Sequence, residues 1–216
     1  MRSVLAAAGT AIALLSGGVA AATPVPVHTQ APGCMTPGDG QPNGKQWPAP
    51  PAMTVDPQAA YDATLETNCG TITASLEAGR APQTVNSFAF LAGEQFFDHT
   101  HCHRLTTEGI FVLQCGDPTA NGTGGPGYKF ADENLAGATY PAGTLAMANS
   151  GPNTNGSQFF LVYADSQLPP NYTPFGRITG GMDVLQNIAA GGTKDGSGDG
   201  APASDIVLDS VATARR

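Results

Sequence analysis

Polar and apolar residues alternate along YDATLETN (61–68) and again along TITASLE (71–77), with Asn68, Cys69 and Gly70 at the junction of the two runs. A period of two turns one face of each run to a core and the other to solvent, so the pair predicts a β-hairpin closed by a tight glycine-containing turn. The period then changes. APQTVNSFAFLAG (81–93) places Val85, Phe88, Ala89 and Leu91 at helical spacing, and Pro82 falls in the first turn, where a missing N–H costs no hydrogen bond. Short apolar runs follow at 102–105, 110–114, 143–148, 158–163 and 174–178, each bounded by Gly, Pro or Asn. A second helix is predicted over MDVLQNIAA (182–190) and a last strand over DIVLDSV (205–211). Many short strands with two helices predict a mostly β fold, a closed antiparallel β-barrel capped by two α-helices. No fixed-period repeat is visible, which argues against a solenoid or propeller.

The chain before Tyr61 follows neither period. Residues 1–22 hold Arg2, an uncharged apolar stretch and the small residues Ala20, Ala21 and Ala22, the pattern of a signal peptide with its cleavage site. An uncleaved membrane anchor is the alternative, because the apolar stretch approaches spanning length, although it is rich in Ala and Gly. Residues 23–60 carry nine prolines and read as a Pro-rich linker, with Cys34 and the single Trp47 hinting that part of it packs on the domain. The folded domain is expected over 61–216.

Composition narrows the class. At 216 residues the chain supports one domain of ordinary size, and Gly and Pro together exceed a fifth of it, which suits a turn-rich β domain. The net charge of −8 leaves no basic stripe for phosphates, so no nucleic-acid partner is expected. Four cysteines (34, 69, 102, 115) in an exported chain allow two disulfides in three connectivities, with buried free thiols the alternative for Cys102 and Cys115. A secreted or extracytoplasmic location follows, with a membrane or cell-envelope tether as the variant that keeps the anchor. No CxxC pair occurs, which disfavours a thioredoxin-like site or a zinc ribbon.

Three segments go beyond what a generic barrel needs: HRLTTEGIFVLQCGD (103–117), NGTGG (121–125) and MANSGPNTNGSQFF (147–160). In order and near spacing they resemble the signature segments of the cyclophilin-type peptidyl-prolyl cis/trans isomerases, and the resemblance covers the domain from Tyr61 to the last strand. It implies an enzyme that turns X–Pro bonds of proline-containing polypeptides, without a cofactor and as a monomer. A proline-peptide binding module of the same fold is the alternative; a structural or adhesive role is a third reading that the long spacer would suit. The chemistry is coherent. An X–Pro bond turns over a barrier of about 20 kcal/mol set by amide resonance, and a guanidinium aimed at the prolyl nitrogen favours the twisted, single-bond-like transition state without titrating near neutral pH.

By the resemblance, Arg104 is the catalytic arginine, with His103 beside it as support and Gln114 holding the substrate backbone. Phe111, Val112, Phe160 and Leu168 then wall the proline pocket, the Asn149 amide joins Gln114 in holding the substrate backbone, and Ala148 lines the groove. Pattern alone would leave the apolar members in the core. TTEG (106–109) adds two residues to the family's spacing after Arg104, so Ile110 is the alternative to Phe111. Val112 stands where Met is common, Gln167 where many members carry Trp, and Tyr172 where many carry His; Tyr172 keeps an aromatic wall and a donor. Losing that Trp predicts weakened binding of cyclosporin. NGTGG and GPNTNG are expected to shape the walls through turn geometry, since the Walker lysine is missing. His99, His101 and His103 alternate, which on one strand would align three imidazoles, but His99 falls in the preceding turn and no metal site is expected.

Overall fold

The computed structural model describes residues 31–216. The targeting segment read over 1–22 and the start of the spacer lie outside the described residues. The alternating runs form β1 (Tyr61–Thr67) and β2 (Gly70–Leu76), and the helical periods form α1 (Pro82–Gly93) and α2 (Met182–Ala190). Between and after them come β3 (Thr100–His101), β4 (Arg104–Thr106), β5 (Val112–Cys115), β6 (Thr144–Met147), β7 (Phe159–Val162), β8 (Pro174–Gly180), β9 (Asp199–Gly200) and β10 (Val207–Arg215).

All ten strands join one antiparallel sheet in the order β3-β10-β1-β2-β8-β6-β7-β5-β4-β9. β3 ends one side of the sheet and β4 lies one strand from the other, yet only residues 102 and 103 separate them in sequence. The sheet must therefore curl to bring β3 and β4 together, while the Cys102 N–H extends the β3–β10 pairing by one step, donating to Ile206 O at 2.8 Å. The predicted barrel is thus a curled half-barrel, with no ladder closing β3 onto β9 among the described residues.

Alternation decides what each face does. The row Leu105, Leu113, Leu161 and Leu145 crosses β4, β5, β7 and β6 in register, every member at most 1% exposed. It faces the main core, where Phe88, Phe97, Phe159 and Phe175 pack with ring centroids 5.0–5.6 Å apart. Burying one such ring is worth about 1.5–3 kcal/mol, so this cluster anchors the fold. Helix α1 supplies Val85, Phe88 and Leu91 to it. No residue of its own caps α1; the Glu133 carboxylate takes the Gln83 N–H (3.1 Å) and Thr84 N–H (2.8 Å), placing an anion at the positive end of the helix.

Residues 31–60 contain no helix or strand, as a proline-rich spacer should not, but they are laid along the domain rather than standing free in solvent. Cys34 is bonded to Cys69 in the β1–β2 turn. Trp47 packs edge-on against Phe90 at 5.0 Å, and the buried Asn86 of α1 accepts the N–H groups of Thr54 (2.8 Å) and Val55 (3.1 Å). An unpaired buried amide would cost about 1–3 kcal/mol, so Asn86 is a reason for this strap to stay docked. The second disulfide joins Cys102 to Cys115, which settles the connectivity and leaves no free thiol. Two disulfides fit an oxidising compartment. No helix among the described residues is long and apolar enough to cross a membrane.

Candidate active site

The next row of the sheet, one residue out of phase with the leucines, runs Arg104, Gln114, Phe160, Ala146. Because side chains alternate, this row must face away from the main core. Three of the predicted residues are therefore neighbours by register alone. Val112 lies on the same face, and with Tyr140, Ala146, Phe160 and Val162 it forms a separate apolar cluster against which Ala148, Leu168, Tyr172 and Ile110 pack. The Tyr172 ring meets Phe160 edge-on at 5.6 Å, and the Tyr140 hydroxyl fixes that turn by donating to Tyr172 O (2.7 Å) and accepting its N–H (3.0 Å).

Phe111 is not brought into this cluster. Counting back from Gln114, residues 112 and 110 share its face and 111 does not, so the Phe111 ring turns to the edge of Tyr163, 5.9 Å away. Ile110, the alternative weighed from the sequence, takes the place on the groove side. The insertion after Arg104 is thus absorbed before residue 110, where Thr107 N–H bonds Gly198 O (2.8 Å).

Arg104 is half-exposed and held on two sides. Nε and Nη2 donate to the two carboxylate oxygens of Asp199 at 2.7 and 2.6 Å, and Nη1 donates to Gln114 Oε1 at 3.3 Å. The hydrogen bond with Asp199 holds the guanidinium above its ordinary pKa and, reciprocally, holds the Asp199 carboxyl below the usual range. Gln114 Nε2 passes the chain on to Gln158 Oε1 (2.9 Å), and Gln158 Nε2 to Gly124 O (2.9 Å). Asp199 and Gln158 were not foreseen. Gln158 stood inside a signature segment, whereas nothing in a Gly/Asp-rich turn marks Asp199 as an arginine partner.

His103 neighbours Arg104 with neither ring nitrogen bonded to a protein group. Burial lowers its pKa against the opposing pull of Asp117, with Arg104 adding to the lowering, so the imidazole is neutral at pH 7. The three histidines do not share a strand face: His99 has φ of +60°, and the exposed His101 pairs with Asp205 at 2.6 Å.

Beyond Gln114 the surface opens into a groove of about 680 Å³ lined by Gln114, Gly122–Gly127, Ala148, Asn149, Gln158 and, from the strap, Gln46. Its glycine-rich wall is braced by the buried Asp117. Burial pushes that carboxyl up, but hydrogen bonds from Thr119, Gly124 and Gly122 outweigh it and hold it low. Gly116 has φ of +84° and a Cβ there would overlap Ser157 O, so only glycine fits. The Asn149 amide, expected to hold substrate, is engaged internally instead, donating to Asn171 O (2.8 Å) and accepting the Gly151 N–H (3.2 Å).

A guanidinium at the rim of an apolar cluster, next to a groove edged with amides, is the arrangement the signature segments imply. Residues 63–213 match the family model described as cyclophilin type peptidyl-prolyl cis-trans isomerase/CLD. The chain belongs to the cyclophilin family. It is 53% identical over 173 residues to a probable peptidyl-prolyl cis-trans isomerase B of Mycobacterium leprae, covering 74% of this chain and 58% of that protein. It is 42% identical to a peptidyl-prolyl cis-trans isomerase B of Streptomyces anulatus, covering 71% of this chain and 97% of that protein. A Cryptosporidium parvum cyclophilin solved in the presence of the dipeptide Ala-Pro superposes with a TM-score of 0.62 at 28% identity, covering 72% of this chain and 99% of that one. The chain spans under two thirds of the length of the mycobacterial relatives.

Proposed function

We propose that this cyclophilin accelerates cis/trans isomerisation of X–Pro bonds in exported polypeptides. The observation that supports this best is the juxtaposition of Arg104, fixed by Asp199 and Gln114, with the apolar cluster around Phe160 on one face of the sheet. In this reading the prolyl ring sits among Val112, Phe160, Leu168, Tyr172 and Ile110. Gln114, Ala148 and the Asn149 backbone hold the chain on either side, and Arg104 donates toward the prolyl nitrogen. Pyramidalising that nitrogen breaks its conjugation with the carbonyl, so the bond turns as a single bond. No proton has to move, which agrees with a neutral His103 acting as packing beside Arg104 rather than as a base. The two disulfides support action outside the reducing cytosol.

The test is a protease-coupled or NMR exchange assay on a short Ala–Pro peptide. Arg104→Ala should lower kcat/KM by roughly 10²- to 10³-fold, the scale for removing one preorganised electrostatic donor, while peptide affinity falls much less. Activity within a few-fold of wild type would refute the mechanism. A wild type that binds such peptides and never accelerates their isomerisation would instead be a binding module.

A further inference from the structure

We propose that Asp199 is a positioning residue for Arg104, holding one edge of the guanidinium so that Nη1 stays turned toward Gln114 and the prolyl site; this rests on the activity proposed above. The register explains how a two-residue strand can do this. β9 pairs with β4 so that Thr106 faces Asp199 and Leu105 faces Gly200. Asp199 therefore shares the sheet face of Arg104, one diagonal step away, within reach of a long side chain. Its carboxylate meets Nε at 2.7 Å and Nη2 at 2.6 Å, the two nitrogens of one guanidinium edge.

Asp199 is itself held from both sides. Thr107 N–H donates to the preceding Gly198 O at 2.8 Å. The single Ser197 hydroxyl proton is shared between Asp195 Oδ1 (2.7 Å) and Asp199 O (2.9 Å), and the Ser197 N–H donates to Asp195 Oδ1 at 3.0 Å. Arg104, with four side-chain torsions and a half-exposed position, would otherwise sample many rotamers in the free protein. The carboxylate selects one before substrate arrives. It attenuates the cation's field, yet it sits on the Nε–Nη2 edge, so the nitrogen facing Gln114 remains the donor on offer.

Full-length wild type, Asp199→Ala, Asp199→Asn and Arg104→Ala are compared on an Ala–Pro peptide, with the Arg104 Nε–H resonance, identified by its loss in Arg104→Ala, followed by ¹H–¹⁵N NMR. Asp199→Ala should lower kcat about tenfold with KM within about twofold, because binding survives while the donor is misplaced. Asp199→Asn, nearly isosteric and keeping one acceptor, should lie between, and it carries the test if the alanine variant misfolds. The Nε–H resonance should shift upfield in both. Unchanged or raised kcat, a change confined to KM, or an unmoved resonance overturns the proposal. Activity lost in Arg104→Ala but kept in Asp199→Ala refutes positioning alone, whereas an inactive wild type refutes the proposed activity and positioning with it.

Discussion

Removing the two disulfides one at a time should separate stability from activity. Cys34–Cys69 closes a loop of 35 residues and Cys102–Cys115 one of 13, and the loops do not overlap. Loop closure alone gives a loss of about 3.8 kcal/mol for the first and about 2.9 for the second, nearly additive because the sites are independent. Against a typical total of about 5–15 kcal/mol, losing both leaves little. Alanine is the better replacement, since Cys102 and Cys115 are buried and a hydroxyl there would lack a partner. The position of each bridge sets its effect on catalysis. Cys102 directly precedes His103 and Arg104, and Cys115 directly follows Gln114, so this bridge ties the backbones that carry the guanidinium and its amide partner. Cys34–Cys69 ties the strap to a hairpin turn outside the site. Urea unfolding should show both double-alanine variants destabilised, and the Ala–Pro assay should find kcat/KM reduced severalfold only for Cys102→Ala/Cys115→Ala. Unfolding free energies within 1 kcal/mol of the parent for either variant, or full activity without the second bridge, would refute the reasoning.

Three further outcomes are expected. Burial lowers the His103 pKa, so below the unfolded value of about 6.5 the unfolded chain binds a proton that the folded protein declines; its contribution to stability is full above that pH and is lost as pH falls through the lowered folded value. Urea midpoints at pH 7.5 and 5.5 measure the slope, and His103→Gln should reduce it. Phe160→Ala empties the centre of the groove-side cluster and should cost about 3–5 kcal/mol in unfolding free energy while raising KM and lowering kcat together. Ile110→Ala should raise KM in the same assay and Phe111→Ala should not.

What could be read from the chain depended on whether an element carries its own period. The β1–β2 hairpin and both helices do, and they lie where the alternation and the helical spacing put them. β9 does not. It is two residues of a Gly/Asp-rich loop that become a strand only by pairing with β4, so Asp199 could not be seen as the partner of Arg104. The strap likewise has no period because its order comes from Asn86, Trp47 and a disulfide rather than from backbone pairing; Cys34 and Trp47 were its only signs. The choice between Ile110 and Phe111 turned on where the two extra residues after Arg104 fall, and counting by twos from Gln114 puts Ile110 on the groove face. The arginine row itself was legible as motif residues, and the register explains why residues so far apart in sequence are neighbours.

The docked strap also sets how far this domain could range. If residues 1–22 were retained as an anchor, the free length would not be the whole proline-rich stretch, because the chain is already committed to the domain at the buried Ala31, whose N–H meets Ser204 Oγ. Residues 23–30, outside the described residues, could then reach at most about 29 Å, at about 3.3–3.6 Å each. That is roughly the diameter of a small domain. An anchored form would therefore work as a sentry close to the bilayer, meeting chains as they emerge beside it, while a cleaved form would diffuse to any chain in the same compartment.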